Sequence, residues 1–483
     1  TGIANAYMDS IPMVALTGQV PTTAIGKDAF QETDITGITL PITKHNYVVT
    51  DASSLAKTFK EAFHIARTGR PGPVLIDLPR DILMNQAEFN YPSQVDLPGY
   101  KVPLRGHPTQ IKKASKLINE SRKPLIIAGR GVMNSGANGE LKQLAELAQI
   151  PVITTLLGIG SFPETHVLSY GMAGMHGMGY ANKALGDTDL LIAIGMRFDD
   201  RVTGNISTFA TQAHIIHIDL DPAEIGKNVR VDVPIVGDVK KVLQALNKII
   251  EPVEHGEWMQ QLEEWRKQHP SHEIREHEGL LPQFIIRKIY EATKGDAIVA
   301  TGVGQHQMWT AQQYLFNKPN SLISSGGLGT MGFGLPAAMG AKAGHSDRTV
   351  WCIDGDGSLQ MTIQELGTIV QDNLAVKIAV LNNGYLGMVR QWQELFYERR
   401  YIATPISCPD FVKIAEAYSM PGLRITRKEE VESALQQAMA HDGPFLIDFI
   451  IEPEENVYPM VPPGGSNVEF LELPKKEVST WPQ

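Results

Sequence analysis

The chain has 483 residues, 43% of them hydrophobic, with 44 glycines and a formal net charge of −10. The length suits about three domains at roughly 150 residues each, and the negative balance without any basic tract argues against a nucleic-acid partner. No apolar run reaches the ~18 residues of a membrane span, and two cysteines, Cys352 and Cys408, supply neither a disulfide frame nor a thiolate metal site.

Residues 1–8 read as the middle of a helix, with no start methionine and no signal-peptide pattern, so the sequence is expected to begin part-way through a longer protein. An Ala-rich amphipathic helix (Phe59, Ala62, Phe63, Ala66) then leads into the strand Gly72-Pro73-Val74-Leu75-Ile76-Asp77-Leu78. Pro92, Pro98, Pro103 and Pro108 mark a linker near 85–108. Leu125-Ile126-Ile127-Ala128 is a strand running into Gly129-Arg130-Gly131, but Asn134 occupies the third glycine position of the dinucleotide fingerprint. Later strands end in Gly195-Met196-Arg197 and Asp219-Leu220-Asp221, and Gly237-Asp238 follows another. Glycine turns suit a pyrophosphate and strand-end acids suit ribose hydroxyls; a spacer domain without a nucleotide is the alternative. A charged, His-rich stretch over 251–279 reads as a second linker.

The last third carries the most informative pattern. Thr349-Val350-Trp351-Cys352-Ile353 is an apolar strand followed by Gly355-Asp356-Gly357, residues 360–371 have helical apolar spacing, and Val376 to Leu381 is a second buried strand closed by Asn382-Asn383. One β-α-β unit thus brings an acid and an amide to one edge of a parallel sheet, where open α/β sheets bind ligands. Mg²⁺ takes oxygen ligands and borrows some from phosphate, so Asp356, Asn383 and a carbonyl near Tyr385 read as a metal site holding a diphosphate; two ordinary turns are the alternative. Gly443-Pro444-Phe445-Leu446-Ile447-Asp448-Phe449 echoes the phrase at 72–78, again after an Ala-rich helix, which suggests first and last domains of one topology. The tail Tyr458-Pro459-Met460-Val461-Pro462-Pro463-Gly464-Gly465 is neither helical nor a central strand.

The metal pair resembles the thiamine-diphosphate signature of decarboxylases and carboligases. Thr17-Gly18-Gln19-Val20-Pro21 with Ala29-Phe30-Gln31-Glu32, then Arg197-Phe198-Asp199-Asp200-Arg201-Val202-Thr203-Gly204, then Gly387-Met388-Val389-Arg390-Gln391-Trp392-Gln393 are similar to the catalytic subunits of the acetohydroxyacid (acetolactate) synthase family. The resemblance runs from Thr1 to about Asn467. It implies three doubly wound parallel-sheet α/β domains: an incomplete aminopyrimidine-binding domain over 1–85, an FAD-binding domain over 105–250, a diphosphate and Mg²⁺ domain over 280–452, and a lid or tail over 453–483. It also implies decarboxylation of pyruvate and condensation with pyruvate or 2-ketobutyrate, the first common step toward branched-chain amino acids, using thiamine diphosphate, Mg²⁺ and an FAD that does no net redox chemistry.

Site residues follow from the resemblance residue by residue. Thiamine diphosphate is expected at Val303, Gly304, Gln305, His306, Gly329, Met331, Gly357, Ser358, Gly387 and Met388, with Met331 wedging the cofactor into its bent form. FAD is expected at Arg70, Gly129, Gly131, His176, Gly177, Gly195, Arg197, Asp219, Gly237 and Asp238. Arg201 is the candidate buried cation for the second substrate's carboxylate, an ion pair with Asp199 or Asp200 being its alternative. Phe30, Gln31, Met388 and Trp392 would line the reacting centre, with Trp392 favouring 2-ketobutyrate. In the family a glutamate against the aminopyrimidine lies upstream of Thr-Gly-Ile-Ala, so no position here takes that role. The implied assembly is a homodimer or dimer of dimers with a small regulatory subunit, in the cytoplasm, or in an organelle if a transit peptide preceded the chain. A pyruvate oxidase or glyoxylate carboligase type enzyme and a non-catalytic homologue are the rivals.

Overall fold

The computed structural model describes residues 1–473; the end of the expected tail, 474–483, lies outside them. The chain divides into two compact units, Thr1–Leu104 with Ser325–Thr330, and Arg105–Ser324 with the residues from Met331 onward.

The first unit holds a parallel sheet of order β1-β3-β2, built from β1 (Met13–Gln19), β2 (His45–Val48) and β3 (Pro73–Pro79). Every residue of β3 is buried, as a central parallel strand covered on both faces requires. Helix Leu55–Arg67 lays Ala62, Ile65 and Ala66 on this sheet. The loop Ser325–Thr330 belongs to this unit because Asn5 Oδ1 accepts from the hydroxyls of Ser325 (2.5 Å) and Thr330 (3.0 Å), and Asp9 accepts from the Gly327 amide at 2.6 Å.

The second unit contains two parallel six-stranded sheets. One has the order β6-β5-β4-β7-β8-β9, from β4 (Pro124–Ala128), β5 (Val152–Thr154), β6 (Ser169–Met172), β7 (Leu190–Ile194), β8 (His214–Asp219) and β9 (Val233–Val236). The other is β11-β10-β12-β13-β15-β14, from β10 (Ile298–Thr301), β11 (Leu322–Ile323), β12 (Val350–Gly355), β13 (Val376–Asn382), β14 (Gly422–Ile425) and β15 (Phe445–Ile450). Strand side chains alternate between faces, and here both faces are core. Ile126 and Ile192 join one cluster while Leu125, Ile127 and Leu191 join another. Likewise Trp351 and Ile353 face one core and Val350 and Cys352 the opposite one. Helices therefore cover both sides of each sheet, and the expected doubly wound α/β class is what the chain adopts. Among the described residues no helix is long and apolar enough to cross a membrane.

The sequence echo has a structural counterpart. Order β1-β3-β2 in the first unit repeats β13-β15-β14 in the second, all parallel, with a helix entering β3 and β15 alike. The two echoed acids do the same work: Asp77 accepts from Thr17 Oγ1 (2.7 Å) and Gln19 Nε2 (3.0 Å), Asp448 from Asn382 Nδ2 (3.0 Å) and Arg424 Nε (3.1 Å). A lysine closes each helix end, Lys44 donating to Ile65 O and Thr68 O, and Lys377 to His441 O and Gly443 O.

Two expectations need correction. The stretch 251–279 is not simply a linker: Gly256–Gln268 is helical and buries Trp258 and Leu262 in the core beside β4 and β7, with Trp258 Nε1 donating to Pro124 O at 3.0 Å. Its apolar residues are Trp258, Met259, Leu262 and Trp265 on an otherwise polar helix, a narrow seam at i, i+1, i+4, i+7. The helix expected over 360–371 is broken into Asp356–Gln360 and Leu366–Gln371 by a turn at Met361 and Thr362. Here Thr362 Oγ1 donates to Gly332 O at 3.0 Å, and a Cβ on Gly332 would stand 2.9 Å from Met361 Cβ. The close approach of the Gly332 loop fixes the break.

Candidate active site

The carboxyl ends of β10, β12 and β13 lie side by side, because β12 pairs with both neighbours in parallel register. Each end releases a loop that carries expected site residues: 302–306 from β10, 355–358 from β12 and 382–388 from β13. Glycine makes their convergence possible. A Cβ on Gly302 would stand 1.8 Å from Asp354 Oδ1 and 2.4 Å from Ser358 Oγ, and one on Gly355 would meet His306 Nδ1 at 2.7 Å. A Cβ on Gly387 would lie 2.1 Å from Gln305 Oε1.

Asp356 is 2% exposed. Its Oδ1 accepts from the Gly357 amide at 2.8 Å, and its Oδ2 from the Gly384 amide at 2.6 Å and the Cys408 thiol at 3.3 Å. No lysine or arginine pairs with it among the described residues, and burial holds its carboxyl above the usual range despite those donors. The same burial, with Asp356 beside it, pushes the Cys408 thiol up to about 12, so it stays a donor. Asn383 is buried too; its Oδ1 accepts from the Tyr385 amide at 3.1 Å and its Nδ2 donates to Gln305 Oε1 at 3.3 Å. Among the described residues no three His, Cys, Asp or Glu side chains gather as a metal cage. One desolvated carboxylate plus an amide and a carbonyl fits a hard divalent cation that completes its shell from phosphate, and fits a self-sufficient protein site poorly.

Helix Gln305–Gln313 starts at this edge, where first-turn N–H groups favour an anion. His306 is buried with Nε2 3.3 Å from Asp354 Oδ1, and the Asp354 carboxylate also takes the Gly355 amide at 2.9 Å. Asp354 went unremarked in the sequence, where it reads as the polar end of an apolar strand. The Ser358 hydroxyl accepts from the Gly332 amide at 2.9 Å. Over Gly357 sit Leu386, Ile406 and Met331, whose nearest atoms would be 2.9, 3.2 and 3.6 Å from a Cβ there. Met331 therefore forms part of an apolar wall above the loop that carries Asp356.

Other expected residues lie elsewhere. Arg201 is exposed rather than buried, with Nη1 3.2 Å from Asp200 Oδ2, while Asp199 caps its own turn by accepting from the Arg201 and Val202 amides. It lines a cavity of about 300 Å³ with Met175, Gly204, Pro462, Gly464 and Asn467. The ion pair, left open as an alternative, is what this chain forms. Trp392 is half-buried and stacks edge-on with Phe396 at 5.8 Å, and Met388 packs on the core beside β13. In the first unit Phe30 is exposed, Gln31 has a left-handed backbone (φ 65°), Gly329 likewise (φ 64°), and Arg70 Nε donates to Ser10 Oγ at 2.9 Å.

Gly129, Gly131, Gly195, Arg197, Asp219, Gly237 and Asp238 lie at or just past the ends of β4, β7, β8 and β9, whereas His176 and Gly177 follow β6 and Arg70 belongs to the first unit. Gly129, Gly131 and Gly195 are explained by a close approach of two loops: the Gly129 amide donates to Ile194 O and the Gly131 amide to Gly195 O, and a Cβ on Gly131 would stand 2.6 Å from Gly195 Cα. Those two amides are thus occupied by backbone and not turned to a pyrophosphate. Asp238 caps helix Val239–Leu246 through the Lys241 amide, and Asp219 accepts from the Asp221 amide at 2.8 Å. A Cβ on Gly237 would stand 2.8 Å from the Gly106 amide, and one on Gly177 2.5 Å from Ala173 Cα. His176 is buried, its Nδ1 lacks a partner among the described residues, and desolvation drives its pKa down to about 4. Arg197 is half-buried, and its charge draws the Asp199 carboxyl downward against burial. A neutral buried imidazole and a half-buried guanidinium are compatible with a phosphate-bearing cofactor.

Sequence reasoning missed the tail's anchorage. Arg390 is fully buried, Nη1 on Glu394 Oε2 at 2.6 Å and Nη2 on Asn456 Oδ1 (2.6 Å) and Glu455 O (3.1 Å). Val457, Met460 and Val461 are buried, and the Val461 amide donates to Met175 O. No periodicity announces pairs so distant in sequence.

Residues 302–449 match the C-terminal TPP-binding domain of thiamine pyrophosphate enzymes, and residues 111–246 match their central domain. The chain is 50% identical to the acetolactate synthase large subunit IlvB1 of Mycobacterium tuberculosis over 483 residues, covering 97% of this chain and 78% of that protein. It is 50% identical to the acetolactate synthase large subunit of Corynebacterium glutamicum over 482 residues (97% and 77%) and 46% identical to acetolactate synthase 1, chloroplastic, of Zea mays over 487 residues (98% and 76%).

Proposed function

The chain belongs to the acetolactate synthase large-subunit family of thiamine-diphosphate enzymes, and from that premise we propose that the edge formed by β10, β12 and β13 holds the cofactor's diphosphate through Mg²⁺. The reaction is the joining of two 2-keto acids with loss of CO₂, giving acetolactate from pyruvate. Bound thiamine diphosphate supplies the carbon nucleophile and the electron sink. The protein supplies grip, orientation and dryness.

Asp356, Asn383 and the Tyr385 carbonyl hold the metal. The observation that carries this reading is the buried Asp356 carboxylate, with no lysine or arginine paired to it among the described residues. Val303, Gly304, Gln305 and His306 orient the diphosphate at the start of helix Gln305–Gln313, with Ser358 and Gly387 on the neighbouring loops. Met331, Leu386 and Ile406 form the apolar wall above Gly357, and Met331 would wedge the cofactor into its bent form. Arg201 grips the carboxylate of the second keto acid. It can leave Asp200 cheaply, because an exposed ion pair is worth only about 0–1 kcal/mol. Trp392 and Met388 shape the acceptor pocket, and Phe30, Gln31 and Gly329 act in the same reaction from the first unit. FAD is held by Arg70, His176, Gly177, Arg197, Asp219, Gly237 and Asp238, with Gly129, Gly131 and Gly195 shaping its floor by close packing. Segments 1–85, 105–250 and 280–452 carry the aminopyrimidine, flavin and diphosphate roles, and the tail from 453 closes the site. Because the two bacterial relatives are named as large subunits, a smaller regulatory chain is the expected partner of a homodimer or dimer of dimers.

Dialysis of the purified protein tests the metal reading. EDTA is expected to strip thiamine diphosphate and Mg²⁺ to restore it, with FAD retained throughout; cofactor held equally well in EDTA would contradict it.

A further inference from the structure

Helix Gly387–Phe396 places two fully buried polar residues side by side, Arg390 and Gln391. Arg390 grips the tail at Glu455 and Asn456. Gln391 does something different. Its Oε1 accepts from the Val457 amide at 2.8 Å and from Gln305 Nε2 at 2.9 Å, and its Nε2 donates to Val457 O at 3.0 Å. Gln305 Nε2 also donates to Glu455 O at 2.9 Å, and Gln305 Oε1 accepts from Asn383 Nδ2 at 3.3 Å. A continuous line of amides thus runs from Asn383 through Gln305 and Gln391 to the Val457 backbone. All its side chains are buried, where a network loses much when one member goes unpaired.

We infer that Gln391 is a positioning residue, which couples seating of the tail at 455–457 to the orientation of Gln305 and Asn383 at the diphosphate edge. Gln305 is a single amide shared between both jobs. When the tail sits, Glu455 O and Gln391 Oε1 fix the Gln305 amide nitrogen and leave its oxygen facing Asn383. When the tail lifts, the amide loses Glu455 O, and Gln391, released from the Val457 backbone, no longer holds it in one orientation. Linkage is reciprocal, so ligand at that edge favours the seated tail. The inference rests on the reading of Asp356 and Asn383 as the metal and diphosphate site.

Gln391→Leu keeps the volume and removes the hydrogen bonds that join Gln305 to the Val457 backbone through Gln391, while Arg390 still anchors Glu455 and Asn456. The test uses the full holoprotein with Mg²⁺ and thiamine diphosphate as probes, reading thermolysin cleavage within 454–473 alongside thiamine diphosphate half-saturation. In wild type the cofactors are expected to slow tail cleavage at least tenfold. In Gln391→Leu the slowing falls below twofold and half-saturation rises about tenfold, as expected for a loss of one or two net hydrogen bonds of about 1 kcal/mol each, with flavin absorbance unchanged. Gln391→Glu keeps both acceptor contacts, so it is expected to restore most of the protection; Gln391→Met, of similar length and without the amide, is expected to repeat the loss and decides the matter if the leucine variant does not fold. Wild-type protection and half-saturation in Gln391→Leu or Gln391→Met would overturn the coupling. A wild-type protein that binds thiamine diphosphate independently of Mg²⁺ would instead overturn the site reading beneath it.

Discussion

Removing the Asp356 carboxylate separates binding from folding. In Asp356→Ala the Gly357 and Gly384 amides lose their acceptor (2.8 and 2.6 Å), a cost of about 1–3 kcal/mol for each one left dry. Against that, the substitution abolishes a buried charge whose desolvation already lifts its pKa. The opposing terms leave the melting temperature of cofactor-free protein nearly unchanged. With Mg²⁺ present the balance is one-sided. Truncating one member of a buried charge contact costs about 2–5 kcal/mol, or roughly thirty-fold to a few thousand-fold in affinity at ~1.4 kcal/mol per decade. Isothermal titration of thiamine diphosphate with and without Mg²⁺ reads this directly. The carboxylate must also be ionised to hold a cation, and its pKa is raised, so wild-type Mg²⁺ affinity falls as pH drops through a value above that of an ordinary aspartate. Mg²⁺-dependent binding of wild-type strength in Asp356→Ala would refute the reasoning.

Arg201→Gln is expected to raise KM for the second keto acid at least tenfold, leaving thiamine diphosphate affinity and melting temperature unchanged, since the Asp200 pair is exposed; steady-state kinetics with pyruvate and 2-ketobutyrate check it. Gly302→Ala drives a Cβ to 1.8 Å from Asp354 Oδ1, and a loss of about 4 kcal/mol or more is expected from denaturant midpoints, with cofactor retention lost as well. His176 has a folded pKa of about 4, depressed by burial from 6.5. Its contribution is therefore complete above pH 6.5 and lost as pH falls toward 4, about 2 kcal/mol by pH 5. His176→Gln removes that share of the acid sensitivity, measured as the difference between denaturant midpoints at pH 7 and pH 5.

The strands that carry the site were legible because parallel strands buried on both faces read as unbroken apolar runs, as β12 and β13 do. Asp356 and Asn383 then fell at strand ends by simple adjacency. The echo of 72–78 in 443–449 was legible for the same reason, and its two acids prove equivalent. What the sequence hid was polar and long-range. Arg390 and Gln391 look like solvated helix residues until the tail, more than sixty positions away, folds onto them. Helix Gly256–Gln268 hid behind its charges, showing a thin stripe of Trp258, Met259, Leu262 and Trp265. Gly129 and Gly131 show what a glycine turn leaves open: their smallness serves loop packing against Gly195, a close approach that no sequence pattern announces.

The central claim is tested most directly by incubating the purified protein with pyruvate, Mg²⁺, thiamine diphosphate and FAD while following acetolactate and dissolved oxygen together. Acetolactate formed in step with pyruvate loss, without oxygen uptake, is the predicted result. Pyruvate consumed with oxygen uptake, or with no acetolactate, would contradict it.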